Sequence, residues 1–249
     1  MLQITNVSKS FGGIKAVQHS TFTITQGKII GLIGPNGAGK TTLFDIITGF
    51  THADEGNVTF KGIPILGKST ATIANLGISR TFQQVRLFRY LTIHDHLCMA
   101  MDHGDTHLLK NIFMRHAHSK EKQEGVHSIL KLVGLDKPVT TLAQHLSYGQ
   151  RKLLGLAMAI AKKHDLLMLD EPVAGVNPQL RKEIKRILQT LKEKGATILI
   201  IEHDMNFIMD VCDTIIVLDA GNVLVEGTPT EIQNNPKVLE AYLGENSHA

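Results

Sequence analysis

The sequence predicts an α/β fold: a core of buried parallel strands, a β-rich layer at the N-terminal end and a helical insertion in the middle. Three observations predict it. Short apolar runs such as KIIGLIG, DLLMLD and ATILII recur along the chain, as expected of strands covered on both faces. From about residue 90 to 163 the apolar spacing becomes helical. A glycine-rich turn, GPNGAGKT, separates one apolar run from a helix.

The elements follow in order. LQITNVSKSF and STFTITQG alternate apolar and polar residues, so each reads as a half-exposed strand. KIIGLIG is a buried strand, and TTLFDIITGF is a helix closed near Gly49. NVTFKG and GISRTF are short strands around a Gly/Pro-rich connection at 62–67. Three helical stretches follow: LTIHDHLCMAM, SKEKQEGVHSILKLVGL and YGQRKLLGLAMAIAKK. Between the first two, MDHGDTHLLKNIFMRHAH is polar and weakly periodic, a loop or a frayed helix. DLLMLD and ATILIIEHD return to buried strands, separated by the amphipathic helix PQLRKEIKRILQTLKEKG. DTIIVLD and NVLVEG make a hairpin around residues 219–222. A short helix or two completes the chain.

Composition limits the function classes. The 249 residues are 43% hydrophobic and 20% charged, enough for a substantial core and ordinary for a globular protein. No run approaches the roughly 18 apolar residues of a membrane span. MLQITNVSKSF lacks the layout of a signal peptide. The chain is therefore expected in the cytoplasm, meeting a membrane only through a partner. The net charge of +3 is mild and gives no nucleic-acid signature. Cys98 and Cys212 have no metal-like spacing and read as reduced, structural thiols. Seven of the 13 histidines fall between His94 and His127, without a recognisable ligand frame. They read as a solvated, polar helical lobe.

GPNGAGKT fits the phosphate-loop spacing: Gly, any four residues, Gly, Lys, Ser/Thr. Gly34, Gly37 and Gly39 let backbone N–H groups curl around an anion. Pro35, Asn36 and Ala38 complete the turn. The helix start at Lys40, Thr41 and Thr42 adds partial positive charge. Lys40 is expected to reach the β- and γ-phosphates of a nucleotide, and the Thr41 hydroxyl to bind Mg²⁺.

LLMLDE places Asp170 and Glu171 at a strand tip, where parallel sheets present their ligand crevice. Asp170 is expected to hold Mg²⁺ through water, and Glu171 to polarise an attacking water. His203 ends ILIIEHD in the same way, beside the same crevice. Gln83, just before the helical region, has an amide able to ligate Mg²⁺ and water together. LSYGQ starts another helix far downstream. Ser147 is a good N-cap there, and its hydroxyl with the following N–H groups of Gly149 and Gln150 offers a second anion site. A two-fold dimer in which each chain's phosphate loop faces the other chain's LSYGQ would bring both to one phosphate.

GPNGAGKTT, Gln83, LSYGQ, LLMLDEP and His203, in this order, resemble the nucleotide-binding subunits of ATP-binding-cassette (ABC) transporters over essentially the whole chain. The resemblance implies a P-loop NTPase core with an N-terminal antiparallel β layer and an inserted helical subdomain. Residues 1–89 and 164–249 would form the core, and 90–163 the subdomain. It also implies that LSYGQ is a signature binding the γ-phosphate of ATP across a head-to-tail dimer. Glu171 would be the general base and His203 a switch residue. Gln83 would lie in a loop coupled to a transmembrane permease, and Phe11 would stack on adenine. Two residues depart from the usual family pattern: Tyr148 where Gly is common, and Asn177 where many members have Asp. RTFQQVRLF, EPVAGVNP, IEHDM and EAYLGE further resemble the ATPases of branched-chain amino-acid importers, which work with a solute-binding protein outside the membrane. Importers of urea and short amides share these phrases, and some lipopolysaccharide-export ATPases share them less closely.

Overall fold

The structure is a computed structural model that describes residues 1–81, 87–101 and 120–243. The chain begins with two long strands, β1 (Leu2–Phe11) and β2 (Ile14–Ile24), then reaches β3 (Ile29–Ile33) and α1 (Lys40–Thr48). β4 (Glu55–Phe60) and β5 (Ile63–Pro64) lead through α2 (Thr70–Asn75) to β6 (Ile78–Arg80). Helices α3 (Ile93–Met101), α4 (Lys120–Val133) and α5 (Tyr148–Ala161) come next. β7 (Leu166–Asp170), α6 (Pro178–Glu193), β8 (Thr197–Ile201) and α7 (Met205–Val211) follow. The chain continues with β9 (Thr214–Asp219), β10 (Asn222–Gly227), α8 (Pro229–Gln233) and α9 (Pro236–Leu243).

The strands make two sheets. One is antiparallel, ordered β2-β1-β4-β5; the other is ordered β10-β9-β3-β8-β7-β6. In the second sheet only the β9–β10 pair is antiparallel. Its hairpin turns at Ala220 and Gly221, both with positive φ (43° and 83°), the geometry that matches strand twist. β2 starts at Ile14, before the alternating stretch read from sequence, because KAVQHS pairs with β1 through irregular register. Asn6 and His19, at positive φ, sit where that pairing slips.

The apolar runs of β3, β7 and β8 hide a period of two. Ile29, Ile33, Leu167, Leu169, Ile198 and Ile200 face a core formed with α3 to α9. Ile30, Leu32, Leu166, Met168, Leu199 and Ile201 face a second core formed with α1, α2 and the antiparallel sheet. Alternation along a strand does this whenever both faces are covered. Gly31 belongs to the first face: a Cβ there would lie 3.1 Å from the Cys212 sulfur. Cys212 is buried and its thiol is pushed well above the usual range, chiefly by that burial. Neither Cys98 nor Cys212 is in a disulfide.

His96 departs from the solvated reading of the histidine-rich stretch. It is fully buried, its Nε2 accepts from the Phe88 N–H at 3.0 Å, and its Nδ1 lies 2.8 Å from the Thr92 carbonyl. A neutral imidazole donates on one side and accepts on the other, so both backbone groups are satisfied. His103, His107, His116 and His118 lie outside the described residues. Among the described residues, no helix is long and apolar enough to cross a membrane.

A buried ion-pair network joins α1 to the sheet. Arg80, 7% exposed at the end of β6, donates to Asp45 at 2.6 Å and Thr48 at 3.1 Å on α1, and to Asp170 at 3.1 Å on β7. The Phe44 and Phe50 rings flank the guanidinium at 5.4 and 5.9 Å. Thr81 extends the tie, its N–H donating to the Met168 carbonyl and its hydroxyl accepting from the Asp170 N–H. Replacing Arg80 leaves the buried Asp170 without its cation. Arg80→Met is expected to lower unfolding stability by about 3–5 kcal/mol in a urea titration, the usual cost of breaking a buried pair from one side.

Candidate functional site

The site lies at the C-terminal ends of the central parallel strands. Their register is level there: Leu32 of β3 pairs with Ile201 of β8, and Ile201 with Asp170 of β7. The phosphate loop leaves β3, the paired acids leave β7, and His203 leaves β8. Sequence positions far apart therefore converge because the strands end together.

The loop's shape is forced by its neighbours. Gly34 has φ 148°, and a Cβ on it would lie 2.1 Å from the Leu218 carbonyl oxygen. Gly39 has φ 95°, and its Cβ would lie 2.3 Å from the Ala16 carbonyl oxygen. No larger residue fits either place without moving backbone. Lys40 is buried, and its ammonium donates to the Gly34 and Pro35 carbonyls at 2.7 and 2.8 Å. It braces the loop from inside. Asn36, Gly37 and Thr41 are exposed, and Thr42 is half-buried.

Helix α1 begins without a side-chain cap, since its N-cap is Gly39. By contrast Ser69, Ser147, Asn177, Asp204 and Thr228 each cap a helix with a side-chain oxygen. The donors at the start of α1 suit an anion supplied from outside. Thr41 lies in the first turn of this helix and Asp170 ends β7 at the same edge of the sheet, and both carry hard oxygen donors of the kind Mg²⁺ prefers. The residues present thus fit a magnesium nucleotide. Burial pushes the Asp170 carboxyl up, and Arg80 opposes that by hydrogen bond and charge.

Glu171 follows Asp170 at φ 49°, a strained conformation for a side chain larger than glycine. Its N–H donates to the Ile201 carbonyl at 2.9 Å. Its Oε1 lies 3.2 Å from Nε2 of His203, whose side chain is 45% exposed. The two groups that sequence spacing assigned to this crevice are therefore in contact. Behind them Glu202 is buried, accepting from the Val173 N–H at 2.7 Å and from the His203 N–H at 3.1 Å. Burial raises its pKa, while those backbone donors pull it down. Glu202 anchors both the loop after β7 and the backbone of His203.

LSYGQ stands at the start of α5 with Ser147 as the N-cap. The Ser147 hydroxyl accepts from the Gln150 N–H at 3.3 Å, and the Gln150 side chain accepts from the Ser147 N–H at 3.0 Å. This reciprocal box uses the Gln150 N–H, one of the donors that the sequence reading offers to an anion. Tyr148 is exposed, and its hydroxyl donates to the Ala174 carbonyl at 3.2 Å. Gly149 packs against Leu180, whose terminal methyl would have to shift to admit a Cβ. Asn177 caps α6 by accepting from the Leu180 N–H at 2.8 Å, a role Asn fills as well as Asp. Phe11 is exposed at the end of β1, with the Lys9 ammonium 5.3 Å from its ring. Gln83 lies outside the described residues.

Arg80, Lys152 and Glu202 were not singled out by sequence reading. Glu202 stands beside His203 at the end of β8, and a charged residue closing an apolar strand is the signal that could have found it; Arg80 closes β6, where Ser79 interrupts the apolar run and no comparable signal exists. Lys152 carries a weaker signal, a charge on the apolar-striped helix α5.

The profile of the family described as "ABC transporter" matches residues 17–174, and that of "Branched-chain amino acid ATP-binding cassette transporter" matches residues 222–248. The chain is 39% identical over 251 residues to a Salmonella typhimurium protein named "High-affinity branched-chain amino acid transport ATP-binding protein LivG", covering 98% of each. It is 37% identical over 250 residues to the corresponding BraF protein of Pseudomonas aeruginosa, again covering 98% of each. Among solved structures, a nucleotide-free ATP-binding cassette from an ABC transporter superimposes with a TM-score of 0.85 at 34% identity, over 97% of this chain and 98% of that one. The ADP conformation of MJ1267, another such cassette, gives 0.84 at 33% identity over 98% of each. With its phosphate loop, strand-tip acids and capped LSYGQ helix in one fold, the chain belongs to the ATP-binding cassettes of the ABC transporter family.

Proposed function

We propose that this chain is the ATP-hydrolysing subunit of an importer for branched-chain amino acids. The observation that carries the reading is the full-length identity to transport ATP-binding proteins of that class, together with the match of residues 222–248 to the branched-chain profile. The chain is read as one cassette domain, with 1–89 and 164–249 as the nucleotide-binding core and 90–163 as the helical subdomain.

ATP is read as lying along the phosphate loop, with adenine against Phe11 and the phosphates on the N–H groups from Gly34 to Thr42. Mg²⁺ bound with it would be held by Thr41 and Asp170, with Gln83 assigned from the sequence alone, and would supply charge neutralisation on the phosphates. Glu171 takes the proton of the attacking water on its carboxylate, and His203 at 3.2 Å orients that carboxylate and reports the γ-phosphate. Ser147, Gly149 and Gln150 serve the γ-phosphate of a second cassette in a head-to-tail dimer. The capping box of Ser147 and Gln150 pre-sets the helix start that meets it. The partners are transmembrane permease subunits and a second cassette, and indirectly a solute-binding protein on the far side of the membrane. The chain works on the cytoplasmic face of the membrane as a peripheral subunit. Exposed Phe88, Tyr90 and Met99, which follow Gln83 in the chain, support a permease surface in this stretch.

Lys40→Ala is expected to weaken ATP binding tenfold or more by calorimetry, the worth of roughly 1.5–3 kcal/mol for hydrogen bonds to a charged group. Unchanged affinity sinks the phosphate-loop assignment. Glu171→Gln is expected to lower hydrolysis by about 10²–10⁴-fold while ATP traps the protein as a dimer on gel filtration. Normal turnover removes Glu171 as the base. In cells where Lys40→Ala replaces the wild-type chain, uptake of labelled leucine is expected to stop while urea uptake continues. Unchanged leucine uptake refutes the substrate, and loss of urea uptake instead transfers the chain to the amide importers.

A further inference from the structure

Helix α5 and the loop after β7 are fastened to one another within the chain. Lys152 lies on the second turn of α5 and is 8% exposed. Its ammonium donates to the backbone carbonyl of Glu171 at 2.9 Å. One turn earlier Tyr148 holds the Ala174 carbonyl, and its hydroxyl sits against Gly175. Between them Gly149 lets α5 approach Leu180. The start of α5 thus grips the segment from Glu171 to Leu180 at three points.

The grip falls on a strained residue. A left-handed backbone at a glutamate persists only where its surroundings hold it. The Glu171 N–H is held by Ile201, and its carbonyl accepts from both the Ala174 N–H at 3.3 Å and Lys152. Of these partners only Lys152 comes from outside the loop and the sheet. Burying an ammonium is costly, and burial lowers the Lys152 pKa; the carboxylates of Glu202, Glu171 and Asp170 oppose this. A lysine kept in such a place for packing alone is replaceable by an apolar residue of equal length.

We propose that Lys152 is a positioning residue for the hydrolytic step: from the LSYGQ helix it clamps the Glu171 backbone, and so aims the carboxylate of its own chain. The inference rests on the reading of Glu171 as the base. It does not touch nucleotide binding, which the phosphate loop serves.

The test is Lys152→Met in the full-length chain, which keeps the unbranched stem and removes the donor. The expected result is a fall in kcat of tenfold or more, with KM and calorimetric affinity for ATP within twofold of wild type. Tyr148→Phe, which loses only the hydroxyl, is expected to lower kcat two- to threefold with the same split. In a Glu171→Gln background, Lys152→Met is expected to leave the ATP-trapped dimer intact. An unchanged kcat overturns the proposal, as does a rise in KM at constant kcat. Loss of the trapped dimer also overturns it, because Lys152 would then serve the LSYGQ face. Should Lys152→Met fail to fold, Lys152→Gln, whose shorter side chain gives up the ammonium that reaches the Glu171 carbonyl, decides by the same criteria. Glu171→Gln alone separates the two ideas. Normal turnover there overturns the base and this inference together. A dead Glu171→Gln beside an unaffected Lys152→Met overturns the inference only.

Discussion

Covering the central strands on both faces is the constraint on which the rest depends. β3, β7 and β8 send alternate residues into two separate cores, so their length holds no room for polar chemistry. Polar groups enter only where the strands end. Because the ends are level, what leaves them meets: the loop at Gly34, the acids at 170 and 171, and the polar pair at 202 and 203. The two cores also determine what surrounds that edge. α1 and the antiparallel sheet stand on one side and the helical stretch on the other, so an arginine at the end of β6 and a lysine on α5 can both reach the tip of β7.

Much of this was legible in the sequence, for physical reasons that can be named. Apolar runs of five residues bounded by glycine or charge are too short for buried helices and read as strands, and β3, β7 and β8 lie where their runs do. The amphipathic stripe of α6, opened by Pro178, and the turn at Ala220-Gly221 are local signals and were read correctly. That Glu171 and His203 border one crevice is read from strand-end logic rather than from either residue alone, and the structure adds their contact. β2 was misjudged at its start because polar residues there are held by pairing with β1, which alternation does not reveal.

The unread part of the site is its buried charge. Arg80 finds partners 35 residues upstream and 90 downstream, and Lys152 finds a backbone carbonyl 19 residues away across a helix–loop contact. Nothing local in a lysine or arginine announces that tertiary structure will bury it, since such residues are usually solvated. His96 is the same case: a histidine in a polar stretch whose two ring nitrogens replace water for two backbone groups. The capping box at LSYGQ shows the reverse, a local pattern visible in sequence whose consequence is that part of the helix start is already occupied.

The two tightest glycines of the phosphate loop have a consequence for how this protein can vary. At Gly34 and Gly39 the obstacle to a side chain is carbonyl oxygen of the protein's own backbone, at Leu218 and Ala16. The loop's curve is therefore moulded by the scaffold before any nucleotide arrives. A variant at either position disturbs the mould and its contents in one step, so the shape of the loop and the fold around it are coupled at these two glycines. A cassette that gave up hydrolysis through its strand-tip acids would still be bound to retain these two glycines, and their presence in a degenerate relative would testify to folding rather than to activity.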